Sequence, residues 1–185
     1  MLGFKLFSYF DSKIIRQYAI AFGFSIFGAL INFYFFRQVY HNIGEESFYY
    51  YAYSRRIIAF VSPILLLGLG ISLPRAIGVY NNDKIKTTRL LLLSLIVISI
   101  ITTIWILFNF FCNRWLTELL WGEVNEISLR LNFIISIYLY SLNLSAIIHS
   151  YFRGKINALT SGIIELTVQS VIPLVAFILL KDLVK

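Results

Sequence analysis

The chain is poor in the residues that most often anchor chemistry. It has one cysteine, Cys112, one methionine and two histidines in 185 residues. A single thiol excludes an internal disulfide and a cysteine-based metal centre. Charge is also scarce, at 14% Asp, Glu, Lys and Arg, where a soluble domain carries about a quarter. No P-loop, no His-Glu-x-x-His and no glycine-rich dinucleotide fingerprint is present. Paired acidic or nucleophilic motifs are missing too, so no enzyme, cofactor or metal is expected.

What the chain has in excess is apolar. Hydrophobic residues make up 59% of it and the mean hydropathy is +0.79. That leaves too little polar surface to cover a water-facing globule, so an integral membrane protein is expected, with the bilayer as its first partner. The net charge of +7 could signal nucleic acid. The basic residues instead lie between apolar runs, which reads as membrane topology, and no nucleic acid is expected.

Five apolar stretches are long enough to cross a hydrocarbon layer of about 30 Å at about 1.5 Å per residue. They fall at about 18–36, 48–74, 90–112, 128–149 and 156–180. Lipid offers backbone amides no partner, so only helices or closed barrels can span it. Runs near twenty residues without period-2 alternation decide for helices. The expectation is an all-α bundle over 18–180. Residues 1–17 form a cytoplasmic segment, either a short interfacial helix or a frayed tail, and 181–185 form a truncated tail.

Lys5, Lys13 and Arg16 precede the first run. Arg75, Lys84, Lys86 and Arg89 lie between the second and third, and Arg153 and Lys155 between the fourth and fifth. The opposite side is poorer in basic residues, with Arg37 beside Glu45 and Glu46, and Arg114 beside Glu118, Glu123 and Glu126. With five crossings the basic loops share one side, and the positive-inside rule places the N-terminus in the cytoplasm.

Two features stand out inside the runs. Arg55 and Arg56 follow the aromatic stretch Phe48 to Tyr53. An arginine at the centre of a span costs about 2.5 to 3.5 kcal/mol, but a guanidinium facing a wet cavity can hold phosphate through two bonds. Successive residues differ by about 100° around a helix, so only one of the pair points squarely inward. The alternative is a helix starting at Ile57, with the tyrosines as an interfacial belt and the arginines reaching to water. Glu165, with Gln169 four residues on and on the same face, reads as an ion-coupling site or as half of a charge pair. Pro63, Gly68, Gly70 and Pro173 are hinge candidates. Asn132, Ser136, Ser141, Asn143 and Ser145 give the fourth helix a polar stripe suited to helix–helix hydrogen bonds. His149 and Arg153 read as interfacial.

Two segments carry a family resemblance. Ile43-Gly44-Glu45-Glu46, the Leu67 to Gly70 turn and Arg75-Ala76-Ile77 form the first; Tyr151 to Gly154 with Pro173 form the second. Both resemble bacterial polysaccharide flippases, the O-antigen and capsule repeat-unit translocases of the MATE-like multidrug/oligosaccharidyl-lipid/polysaccharide exporter superfamily. The resemblance implies the first, incomplete bundle of a MATE-like transporter in the bacterial inner membrane, with a second helical bundle in the full-length chain. It implies a lipid-linked oligosaccharide on undecaprenyl pyrophosphate as substrate, with Arg55 or Arg56 on the phosphates. A cation-coupled multidrug exporter of the same fold, depending on Glu165, is the alternative. A non-transporting scaffold using the Gly23 to Gly28 face is another.

Overall fold

The computed structural model describes residues 12–175, and every element among them is helical. Helix α1 is Ser12–Ile43, α2 Glu45–Leu66, α3 Leu69–Val79, α4 Lys84–Trp121, α5 Glu126–Gly154 and α6 Ala158–Leu166. A π-helical turn, Thr167–Val171, follows α6, and α-helix resumes over 172–175. Four helical segments are long and apolar enough to cross a membrane, or five when α2 and α3 are taken as one broken span.

Chain reversals make successive spans antiparallel, which leaves α1 and α6 parallel with their starts together. Gln17 of α1 meets Ala158 of α6, whose backbone N–H donates to its Oε1 at 2.8 Å. Tyr53 of α2 stacks on Trp121 at the end of α4, with ring centroids 5.2 Å apart. Arg75, Lys84, Lys86, Arg153 and Lys155 therefore sit toward one end of the bundle. Glu45, Glu46, Glu118, Glu123 and Glu126 sit toward the other.

The interior holds many small polar side chains beside its apolar ones. Thr102, Asn109, Thr117, Asn132, Ser136 and Asn143 are each at most 1% exposed, while Phe22, Phe33, Phe111 and Ile71 are more than 60% exposed. Bulky apolar side chains outside and small polar ones inside are what helices packed in lipid require, because hydrocarbon gives no hydrophobic drive to bury leucine. Fold and surface together define an all-α, multi-pass membrane protein.

Helix α5 is the hub and packs against α2, α3, α4 and α6. Ile57, Val61 and Leu65 of α2 meet Ile135 and Leu139 of α5 and Trp121 of α4. Leu73 and Ile77 of α3 meet Ile98 and Ile147. The α4–α5 seam is polar. Asn132 Nδ2 lies 3.1 to 3.2 Å from Asn109 Oδ1, Asn113 Oδ1 and Thr117 Oγ1. Asn109 Nδ2 donates to the Asn132 carbonyl at 3.1 Å and to Ser136 Oγ. Trp105 Nε1 donates to the same hydroxyl at 3.2 Å. Of the expected stripe, Asn132, Ser136 and Asn143 are buried; Ser141 is exposed, and Ser145 donates to the Ser141 carbonyl of its own helix.

Several expected boundaries shift. The run 48–74 is not one helix: α2 and α3 bend by 46° at Leu67 and Gly68, both left-handed with φ 48° and 74°. Glycine takes that conformation freely, whereas Leu67 bears a steric cost. Pro63 lies inside α2 and Gly70 inside α3, so neither marks the break. Helix α4 spans 38 residues, or about 57 Å, and outruns the layer expected to hold 90–112. Its backbone leaves helical geometry at Cys112, between the two amides, Asn109 and Asn113, that bond α5. Residues 12–17 continue into α1 without a separate interfacial helix, since no glycine or proline interrupts them. Residues 1–11, 176–180 and the 181–185 tail lie outside the described residues.

The two segments behind the family resemblance meet in space. A Cβ on Gly154 would stand 2.7 Å from Ile77 Cβ and 2.8 Å from the Pro74 carbonyl oxygen. Glycine at 154 lets α5 touch the backbone of α3, which explains physically why the Arg-Gly pair ends α5.

Candidate functional site: a polar trough along α6

Three cavities adjoin along α6 and the π turn. The largest, about 590 Å³, lies between α1, α5 and the start of α6, with Gln17, Tyr18, His149, Arg153 and Glu165 in its wall. The second, about 250 Å³, runs between α1 and α6 and shares Ser25, Gly162 and Glu165 with the first. The third, about 240 Å³, lies between α2 and α5 and shares Gln169 with the second. These shared wall residues set the three cavities side by side as a trough, with His149 and Arg153 lining the first and Arg55 the third.

Local sequence shapes this trough. Gly162 sits against the Phe24 ring, and a Cβ there would enter that ring, so α1 and α6 approach closely. Asn32 Nδ2 donates to Ser170 Oγ at 3.0 Å and ties α1 to the π turn. Pro173 has no N–H to offer the Gln169 carbonyl four residues back. The backbone widens just before it, where the Ile172 N–H reaches Thr167 O across a π turn. Such insertions recur at functional sites, and this one carries Gln169 into two cavities.

Arg55 is half-buried and lines the third cavity with Ser62, Tyr138 and Gln169. Its guanidinium carbon lies 5.9 Å from the centre of the Phe36 ring. Among the described residues the ion pairs are Lys86–Asp83, Arg130–Glu126 and His149–Glu165, so no carboxylate pairs with Arg55. Arg56 is exposed and lines none of the three cavities. Helix α2 begins at Glu45, so both arginines lie within it, about 15 Å from its start. A helix beginning at Ile57 is thereby replaced by one that starts three turns earlier. Two polar groups behind this cavity have no hydrogen-bond partner: the Tyr51 hydroxyl and Asn143 Nδ2. Asn143 Oδ1 accepts from Ser62 Oγ at 2.7 Å.

Glu165 lies seven residues into α6, about 10 Å from its start. Its Oε2 stands 3.3 Å from His149 Nε2. His149, read from the sequence as interfacial, lines the first cavity. A signal for this was available, because His149 and Glu165 are equally distant from Asn157 in the α5–α6 turn, which brings them level in an antiparallel pair. Of the hinge candidates, Gly68 is at the α2–α3 break, Pro63 lines the third cavity, and Pro173 follows the π turn. Gly28 is covered by Leu166 and Ser170 of the same chain, while a Cβ on Gly23 would meet nothing within 4 Å. No group of three or more potential metal ligands exists among the described residues.

The arrangement is that of a multi-pass helical membrane protein with adjoining open cavities along α6, Arg153 standing with His149 and Glu165 in the first and Arg55 in the third. Comparison of the chain with known protein families, with characterised proteins and with solved structures returns no match.

Proposed function

We propose that this chain is the first-bundle portion of a membrane transporter that carries a phosphate-bearing lipid-linked oligosaccharide across the bacterial inner membrane. The N-terminus lies in the cytoplasm, and a second bundle completes the cavity. The observation that carries this reading is Arg55: a half-buried arginine in a cavity between spans, without a carboxylate partner among the described residues. A structural arginine in such a place pairs with an acid; a free guanidinium is suited to a ligand's phosphate. The bend at Leu67–Gly68 and the π turn give the walls two points at which to rock. The basic end of the bundle faces the cytoplasm by the positive-inside rule.

Reconstituted protein should move a fluorescent prenyl-pyrophosphate-linked saccharide between leaflets. Arg55→Gln should slow this about tenfold, the effect of about 1.4 kcal/mol of lost binding, while Arg56→Gln should stay near wild type. Equal effects of the two substitutions would remove the basis of the proposal. A second reading, a cation-coupled exporter of the same fold, is favoured by the Glu165 carboxylate in the largest cavity. It requires Glu165→Gln to abolish drug export driven by a sodium or proton gradient while Arg55→Gln leaves it intact.

A further inference from the structure

The first cavity holds an arginine and a histidine that the role of Arg55 does not use. His149 and Arg153 are four residues apart on α5, hence on one face, and both line it. The carboxylate in that wall is Glu165, from α6. We infer that this cavity is a second phosphate site, in which Glu165 occupies the anion's place until a phosphate-bearing head group displaces it. The inference rests on the proposed reading of the chain as a carrier of such a lipid.

Three observations support it. First, the His149–Glu165 pair is loose. Its 3.3 Å separation exceeds the ~2.7 to 2.9 Å of a charge-assisted hydrogen bond. The carboxylate side chain also remains 46% exposed, and pairs this open hold weakly. Second, the site has room and neutral polar side chains in its wall. Its volume of about 590 Å³ falls within the ~300 to 1,000 Å³ of ligand pockets. Tyr18 and Gln17 line it, and Gln17 Oε1 accepts the Ala158 N–H. Third, it lies at the basic end of the bundle, where Arg153 and Ile156 at the α5–α6 turn line it. A phosphate that takes His149 and Arg153 removes the His149–Glu165 tie between α5 and α6 and leaves the longer one, Ser161 Oγ to the His149 carbonyl at 3.5 Å. Helix α6 stays tied to α1 through Gln17–Ala158 and Asn32–Ser170. Anion binding is thereby converted into a loosened α5–α6 contact next to the π turn.

The test is equilibrium titration of the full chain in non-ionic detergent with two probes, inorganic pyrophosphate and a ten-carbon prenyl pyrophosphate. Glu165→Gln keeps the side-chain shape and removes the competing charge, so it should tighten binding about tenfold; Arg153→Gln should weaken it about tenfold and Arg153→Lys should restore most of that. Tighter binding of both probes in Glu165→Gln assigns recognition to the phosphates alone. Tighter binding of the prenyl probe only assigns it to a lipid-borne head group. Either supports the inference. Unchanged or weaker binding in Glu165→Gln overturns it, because a carboxylate that ignores or assists the anion is not its stand-in. If Arg55→Gln abolishes binding while Arg153→Gln does not, this site is excluded and the proposed function stands.

Discussion

Asn132 holds α4 to α5, and its replacement by leucine gives the clearest energetic test of the fold. The substitution keeps the branching of the side chain, with two bulkier methyls in place of the amide, and removes two amide hydrogens that are shared among Asn109 Oδ1, Asn113 Oδ1 and Thr117 Oγ1. Interhelical side-chain hydrogen bonds in membrane proteins average about 0.6 kcal/mol, so two are worth about 1.2 kcal/mol. Asn113 Oδ1 still accepts from Thr117 Oγ1 at 3.2 Å. Asn109 Oδ1 loses the donor it has, at the low end of about 1 to 3 kcal/mol for a buried unsatisfied group. The sum is about 2 kcal/mol of lost stability. Unfolding in mixed micelles, followed by the fluorescence of Trp105 and Trp121, reads it out. Ser145→Ala, which removes only a bond to its own helix, is the control and should stay within about 0.5 kcal/mol. A cost below about 0.5 kcal/mol for Asn132→Leu would refute the reasoning and place the stability of the α4–α5 seam elsewhere.

Other predictions follow from single positions. Gly154→Ala sets a methyl against Ile77 and the Pro74 carbonyl, and an overpacked backbone contact should cost about 1 to 3 kcal/mol in the same assay. Gly68→Ala forces a Cβ into the left-handed region and should cost about 1 kcal/mol, while Gly70→Ala, helical and with open space around it, should be neutral or slightly stabilising; equal effects would contradict the placement of the break. Asp83 accepts the Lys86 N–H at 3.0 Å as the N-cap of α4, and this bond from the Lys86 backbone holds its carboxyl below the ordinary aspartate value. A lowered folded value means that its contribution is present above the unfolded value and lost as pH falls through the folded one. The Lys86 amide resonance should therefore titrate with a midpoint below that of a free aspartate; a midpoint at or above it would remove the cap.

The existence and order of the helices were legible because an uncharged run of about twenty residues has one physical outcome in lipid. Their interruptions were not equally legible. Gly68 pointed to the α2–α3 break, yet Leu67 shares the left-handed turn, a conformation that leucine's own preference opposes. Pro63 looked like a breaker and is absorbed within α2. The π turn had only Pro173 as a sign. The choice between Arg55 and Arg56 depends on one 100° step, which cannot be fixed until α2 packs on α5. The polar stripe divided for the same reason: Asn132, Ser136 and Asn143 follow the buried ladder that includes Leu139 and Ile147, and Ser141 and Ser145 fall off it. Glu165 was visible as a charge in an apolar run. Its partner was not singled out, because pairing His149 with it requires treating the turn at Asn157 as a mirror.

The account rests most directly on the trough being wet while the outer helix faces are not. The single cysteine makes this measurable, since Cys112→Ser provides a thiol-free background. Gln169→Cys, in the trough, and Ile100→Cys and Ile104→Cys, on the exposed apolar face of α4, should be compared in membranes with a charged, impermeant thiol reagent. Fast modification at position 169, with positions 100 and 104 protected, is the predicted result. Protection at 169 equal to that at 100 and 104 would contradict a water-filled trough and with it the role assigned to Arg55.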